Sequence, residues 1–276
     1  MKLDDHSSKT PWRWISAIIF LVGSVIWIGS AISPTIKRQA AASELRRGGF
    51  EVGSGSSALE ECWNAVKATF VNRAIPQQNA YTERVALTSN SVESLVPFEP
   101  SLTRFQPKWI SLNACSKLED VGTLKLLPEL VQLEIRECPG LTDLSIISEL
   151  GNLRLLYLSK MAAVKAVPRL RSGGKLTILL LIDCAELSEF DRLQDFTSLA
   201  VLSISGSPML QNTDPLRGLK QLETLVLSKC TRLSDVSALH SLTKLKFVRL
   251  NGCQNLPPEA VAALRAALPR TQIEYP

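Results

Sequence analysis

The sequence predicts an α/β repeat protein: a stack of 23-residue units behind a single apolar helix. Three observations carry this. Cys115, Cys138, Cys184, Cys230 and Cys253, five of the six cysteines, stand on one 23-residue grid. Apolar residues fill three further columns of the same grid. Near the N-terminus, the 19 residues from Ile15 to Ser33, ISAIIFLVGSVIWIGSAIS, carry no charge.

The uncharged run comes first along the chain. At ~1.5 Å rise per residue it nearly crosses a ~30 Å hydrocarbon layer. With Trp14 included it is read as a transmembrane helix over 14–33, behind a short tail of residues 1–13. Trp12, Trp14 and Trp27 suit a membrane interface. A cleaved signal peptide is the rival, but its apolar core is usually ~7–15 residues. Here the run is longer and Pro34 follows the best cleavage site, so an uncleaved anchor is expected. Lys2, Lys9 and Arg13 before the span nearly balance Lys37, Arg38, Arg46 and Arg47 after it. Charge alone leans toward a cytoplasmic repeat domain. Small modules on single N-terminal anchors are commonly extracytoplasmic, and that placement is expected.

Residues 34–106 form a joining and capping region. Residues 35–47 read as a short helix stopped by Gly48 and Gly49, followed by an extended FEV and a flexible GSGSS joint. Ser57 and Glu60 have capping-box spacing. They open a helix over 57–70 that places Leu59, Cys62, Trp63, Val66 and Phe70 on one face. This face is expected to cap the open end of the repeat array. Residues 75–106 are the least legible; RVALTS reads as one strand of a degenerate first row.

The array occupies 107–276, with repeats starting at 107, 130, 153, 176, 199, 222 and 245. The fourth column is Ile110, Leu133, Leu156, Leu179, Leu202, Leu225 and Val248. The sixth is Leu112, Ile135, Leu158, Leu181, Ile204, Leu227 and Leu250. The ninth holds the five cysteines plus Met161 and Ser207, and the twelfth is Leu118, Leu141, Val164, Leu187, Leu210, Leu233 and Leu256. No insertion interrupts the columns. Beyond Cys253, Pro257-Pro258-Glu259 and AVAALRAAL read as a closing helix, and Thr271-Gln272-Ile273 as a last edge strand.

The pattern L-x-x-L-x-L-x-x-C-x-x-L resembles the leucine-rich repeat family, in its short internalin-like and cysteine-containing forms. The resemblance implies a curved right-handed solenoid with a parallel strand per repeat on its concave face. It also implies a structural ladder at position nine, where the chain turns out of the strand and a small, weakly polar side chain points into the core. A thiol there can donate weakly to an unpaired loop carbonyl. Disulfides Cys115–Cys138 and Cys230–Cys253 are the alternative, but stacked parallel side chains suit that geometry poorly and Cys184 has no neighbouring cysteine. No C-x-x-C suggests zinc. Asp120, Asp143 and Asp235 at position fourteen read as turn or helix-start caps rather than calcium ligands, since a calcium site needs several converging oxygens.

The resemblance further implies that binding uses the outward strand positions of the concave face: third, fifth, seventh and eighth. They give an apolar group of Leu155, Tyr157, Ile178, Leu180, Ile182 and Val201, extended by Val226 and Phe247, with Lys160, Asp183, Lys229 and Arg249 at its margin. An exposed apolar patch with a charged rim suits a protein partner. Two other readings stay open: β-branched residues favour strands for their own sake, or residues 75–106 fold back over the patch. As an exposed patch it should tolerate Tyr157→Asp with Leu180→Asp without loss of folding. A net charge of +5 from 31 basic and 26 acidic residues does not argue for nucleic acid. There is no catalytic or cofactor motif, and only His6 and His240 are present as histidines, so neither an enzyme, a cofactor nor a small-molecule substrate is expected. A ubiquitin-ligase substrate adaptor is the alternative function, since cysteine-containing repeats resemble those of F-box proteins; no recognisable F-box is present.

Overall fold

Residues four and six of each repeat are two apart, so an extended chain points both to one side and the odd positions to the other. In the computed structural model this alternation becomes strands. Residues 37–53, 84–170 and 175–276 are described; the 14–33 span and the 57–70 helix lie outside them. The strands are β1 (Phe50–Val52), β2 (Arg84–Leu87), β3 (Trp109–Asn113), β4 (Gln132–Arg136), β5 (Leu155–Ser159), β6 (Ile178–Ile182), β7 (Val201–Ser205), β8 (Thr224–Val226), β9 (Phe247–Arg249) and β10 (Gln272–Glu274). They form one sheet in chain order. Every neighbouring pair is parallel except β1–β2, which is antiparallel.

The register follows the sequence columns. Ile110, Leu133, Leu156, Leu179, Leu202, Leu225 and Val248 stand side by side across β3 to β9. The two end rows differ. Val85 pairs with Ile110 and Val248 with Ile273, a spacing of 25 rather than 23. The parallel stack therefore opens at β2, ahead of residue 107, and Ile273 sits in the fourth column where the sequence put it in the sixth. In both end rows the chain returns through an α-helix: α2 (Glu99–Phe105) and α3 (Pro258–Ala267). Inner rows return through 3-10 turns such as Gly122–Leu126, Ser145–Glu149 and Ser237–Ser241. A helix over 37–47, here α1, precedes β1.

Those 3-10 turns are opened by the position-fourteen side chains. Asp120 Oδ1 accepts from the Gly122 N–H at 2.7 Å, Asp143 from Ser145 at 2.7 Å and Asp235 from Ser237 at 2.8 Å; Asn212 does the same for Asp214 at 3.0 Å. These are Asx turns, as the sequence suggests. Among the described residues no three His, Cys, Asp or Glu side chains gather where a metal ion would sit.

The core lies between the sheet and the convex turns. Its rows include the fourth, sixth, ninth and twelfth columns, joined by apolar residues of the convex returns such as Leu124, Ile147, Leu193, Leu216 and Leu239. The five ladder cysteines are buried and free. Each thiol reaches a carbonyl of the preceding row: Cys115 to Leu87 (3.5 Å), Cys138 to Leu112 (3.8 Å), Cys184 to Leu158 (3.8 Å), Cys230 to Ile204 (3.2 Å) and Cys253 to Leu227 (2.8 Å); for Cys138 and Cys184 the carbonyl two residues back is nearer, Arg136 at 3.2 Å and Ile182 at 3.6 Å. Met161 fills the same slot without a donor, and the Ser207 hydroxyl reaches the Cys184 carbonyl at 3.5 Å. The open N-terminal end of this core is closed by α1: Ala41 and Leu45 have no exposed surface, and Phe50 meets Phe98 edge-on at 4.8 Å. Among the described residues 37–47 caps this end; the 57–70 helix expected to cap the array lies outside them.

Candidate functional site

At position eight the chain leaves each strand in the left-handed conformation. Ala114, Glu137, Lys160, Asp183 and Lys229 have φ between 52° and 56°, while Gly206 and Gly252 have 65° and 77°. A non-glycine residue pays an energetic penalty there of about 1–2 kcal/mol. The ladder holds it nonetheless: the N–H of Glu137, Lys160, Asp183 and Lys229 donates to the next row's Ser159, Ile182, Ser205 and Asn251 carbonyl at 2.7–3.0 Å. The turn rotates position nine into the core and leaves position eight outside. Glu137, Lys160, Asp183 and Lys229 therefore form an exposed row along one rim of the sheet. Lys160 Nζ meets Glu137 Oε1 at 2.6 Å, and this pairing holds the Glu137 carboxyl below the ordinary range.

The odd strand positions carry a second apolar cluster, separate from the core: Trp109, Leu155, Tyr157, Ile178, Leu180 and Val201, with Ile182 packed against it. Strand register makes them neighbours, Ile178 between Leu155 and Val201, and Tyr157 beside Leu180. Guanidinium groups lie over three rings of this face: Arg84 over Trp109 at 4.4 Å, Arg136 over Tyr157 at 5.9 Å and Arg249 over Phe247 at 5.3 Å. Arg249 also holds Glu274 of the last strand at 2.6 Å. Val226 is half-buried and Phe247 buried, one and two rows beyond the cluster. Trp109 is a member of the cluster that the sequence-based patch of rows three to seven does not contain. It occupies the third position of the row starting at 107, where the same register finds it.

The expected exposure of the patch is not what the structure shows. The six cluster members are only 1–5% exposed. Among the described residues the exposed large hydrophobics are Val96 and Met209, away from this face. The rim fares differently: the Lys160 side chain is 58% exposed, and Asp183 and Lys229 are exposed with it. Tyr157→Asp with Leu180→Asp would place two carboxylates in buried positions, so that pair is no longer expected to leave folding intact.

Glu134 is the chemical exception on this face. It stands between Ser111 and Tyr157 in the strand register and is 1% exposed. Burial pushes its carboxyl above the ordinary range, against the pull of Ser111, Arg84, Arg136 and Trp109. Its Oε1 completes no hydrogen bond.

No family model and no curated protein matches the chain. Solved structures do. The leucine-rich repeat domain of the type III effector XopL superposes with a TM-score of 0.54 at 17% identity, covering 99% of this chain and 98% of that one. Internalin C2 from Listeria monocytogenes gives 0.52 at 22% identity, covering 70% and 81%. At such identities the likeness speaks for architecture. The chain has the leucine-rich repeat fold.

Proposed function

We propose that the chain is a non-catalytic, membrane-anchored module that binds another protein through the concave face of its repeat array. The observation that carries this is the pairing of two features on adjoining strands. A contiguous apolar and aromatic cluster, Leu155 to Val201, lies beside an exposed row of alternating charge, Glu137, Lys160, Asp183 and Lys229. Apolar centre and charged margin are the ordinary composition of a protein interface. Arg249, Val226 and Phe247 extend the surface toward the last strands.

Anchoring rests on the uncharged 14–33 run. Among the described residues no helix is long and apolar enough to cross a membrane. The proposed placement of the array is extracytoplasmic. Two measurements test these parts. Alkaline carbonate should leave the protein in the membrane pellet, and its release would remove the anchor. Protease added outside intact cells should digest the array, whereas protection until lysis would reverse the placement.

Charge reversal tests the binding surface without disturbing the core, because the rim is exposed. Lys160→Glu with Lys229→Glu should fold as wild type and lose partner capture by at least tenfold, about 1.4 kcal/mol. A folded variant that captures the partner undiminished contradicts the concave site.

A further inference from the structure

The charged rim of the concave face is not uniform. Each position-eight residue stands about 4.8 Å from its equivalent in the next row, which is the first group it meets. Glu137 meets Lys160, and the two close at 2.6 Å. Asp183 and Lys229 each meet a glycine instead, Gly206 and Gly252. A Cβ added to Gly206 would run into the Asp183 carboxylate, and one added to Gly252 would lie 3.4 Å from the Lys229 stem. Both charged side chains therefore lean across a glycine. Neither has an ion-pair partner among the described residues.

The turn itself does not require these glycines. Ala114, Glu137, Lys160, Asp183 and Lys229 make the same left-handed exit with side chains, at φ of 52–56° against 65° and 77° for Gly206 and Gly252. What the glycines supply is the lack of a side chain. The floor beside them is small and polar as well: Ser205 and Ser228 are half-buried and Asn251 is exposed. The result is a notch with a carboxylate at one side and an ammonium at the other, two rows or about 10 Å apart.

We propose that this notch sets the partner's chemistry: it takes a helix of another protein that carries one basic and one acidic residue on a single face. Residues about two turns apart on a helix are separated by about 10.5 Å, which matches the span from Asp183 to Lys229. A charge desolvated without a counter-charge is costly, so a partner that covers the notch must bring both inverse charges. Ile182 and Val226, both half-buried, border the notch and offer the helix apolar contact. An extended strand fits less well, because its residues about 10 Å apart point to opposite faces.

The assignment deepens the concave-face reading of function and rests on it. The test offers the full chain, in detergent micelles, a phage-displayed library of helical peptides with one face randomised. Selection is run on wild type, on Asp183→Lys and on Lys229→Glu. Lysine and glutamate already make this turn at Lys160 and Glu137, so both variants suit it; circular dichroism verifies folding. Wild type should select helices with one acid and one base about two turns apart, Asp183→Lys helices with two acids, and Lys229→Glu helices with two bases. A helix selected on wild type should bind either variant about tenfold more weakly, since like charge then faces like. Helices of the same charge pattern from all three proteins, or no selected helix, overturn the assignment. Asn251→Trp, which puts a bulky side chain on the exposed floor, separates the two readings. If it blocks such charge-indifferent helices, the concave face stands and the charge pair alone fails; if they bind it undiminished, both fail.

Discussion

At the scale of single residues, burial and charge pull against each other at Glu134 and at the cysteine ladder. The Glu134 carboxyl is raised by burial. Its proton is held more tightly in the folded chain than in the unfolded one, where it leaves near pH 4.3. Its contribution to stability is thus fully present below that value and is lost as pH rises through the folded one. Glu134→Gln removes the penalty of ionisation. Its stability advantage over wild type should grow between pH 4 and pH 7 in urea denaturation, and an advantage that shrinks over that range would contradict the assignment. Among the cysteines, the neighbouring Cys138 side chain lowers the Cys115 pKa to about 7, while Cys138 itself is raised by Cys115 and by burial. A thiol of that pKa is reactive if reagent reaches it, but Cys115 has no exposed surface. Access decides: thiols at 115, 138, 184, 230 and 253 should resist alkylation until the fold is opened, as peptide mass spectrometry would show. Labelling of Cys115 in the native chain contradicts this.

At the scale of elements, each row is a strand, a left-handed exit, a ladder residue and a 3-10 return. The strand and the ladder are legible in the sequence because their side chains repeat: Leu133, Ile135 and Cys138 recur as Leu179, Leu181 and Cys184. The left-handed exit is not, because Glu137, Lys160, Asp183 and Lys229 carry no glycine signal; only Gly206 and Gly252 hint at it. The last row is misjudged by two residues because α3 replaces the shorter return, and a column count cannot see the extra turn, whereas the strand read in RVALTS is there as β2. The Asx turns are legible, since an acidic residue two before a turn N–H is a local signal. Asp235→Ala should cost about 0.5–2 kcal/mol, the range for losing a side-chain cap, and added calcium should leave the thermal midpoint of wild type unchanged. A calcium-dependent rise in that midpoint would show that Asp235 and its equivalents do more than cap.

At the scale of the whole molecule, rows of one sheet support only their neighbours, so stability passes along the stack from the α1 cap to β10. Leu179 sits mid-array with no exposed surface. Leu179→Ala should cost about 2–5 kcal/mol and, where cooperativity is intact, shift the whole urea transition; a second, separate transition would show that the array melts in pieces. What the sequence could not reveal at this scale is the burial of the concave cluster. Tyr157 and Leu180 read as exposed because periodicity tells which side of the sheet a side chain takes and not how much of that side is covered. The central claim is that this face is where a partner docks. The most direct measurement is capture from detergent-solubilised membranes by wild type, by Lys160→Glu with Lys229→Glu on the concave rim, and by Arg217→Glu on the convex side, after circular dichroism shows all three folded. The account predicts one partner bound equally by wild type and the convex variant and lost from the rim variant; equal capture by all three would contradict it.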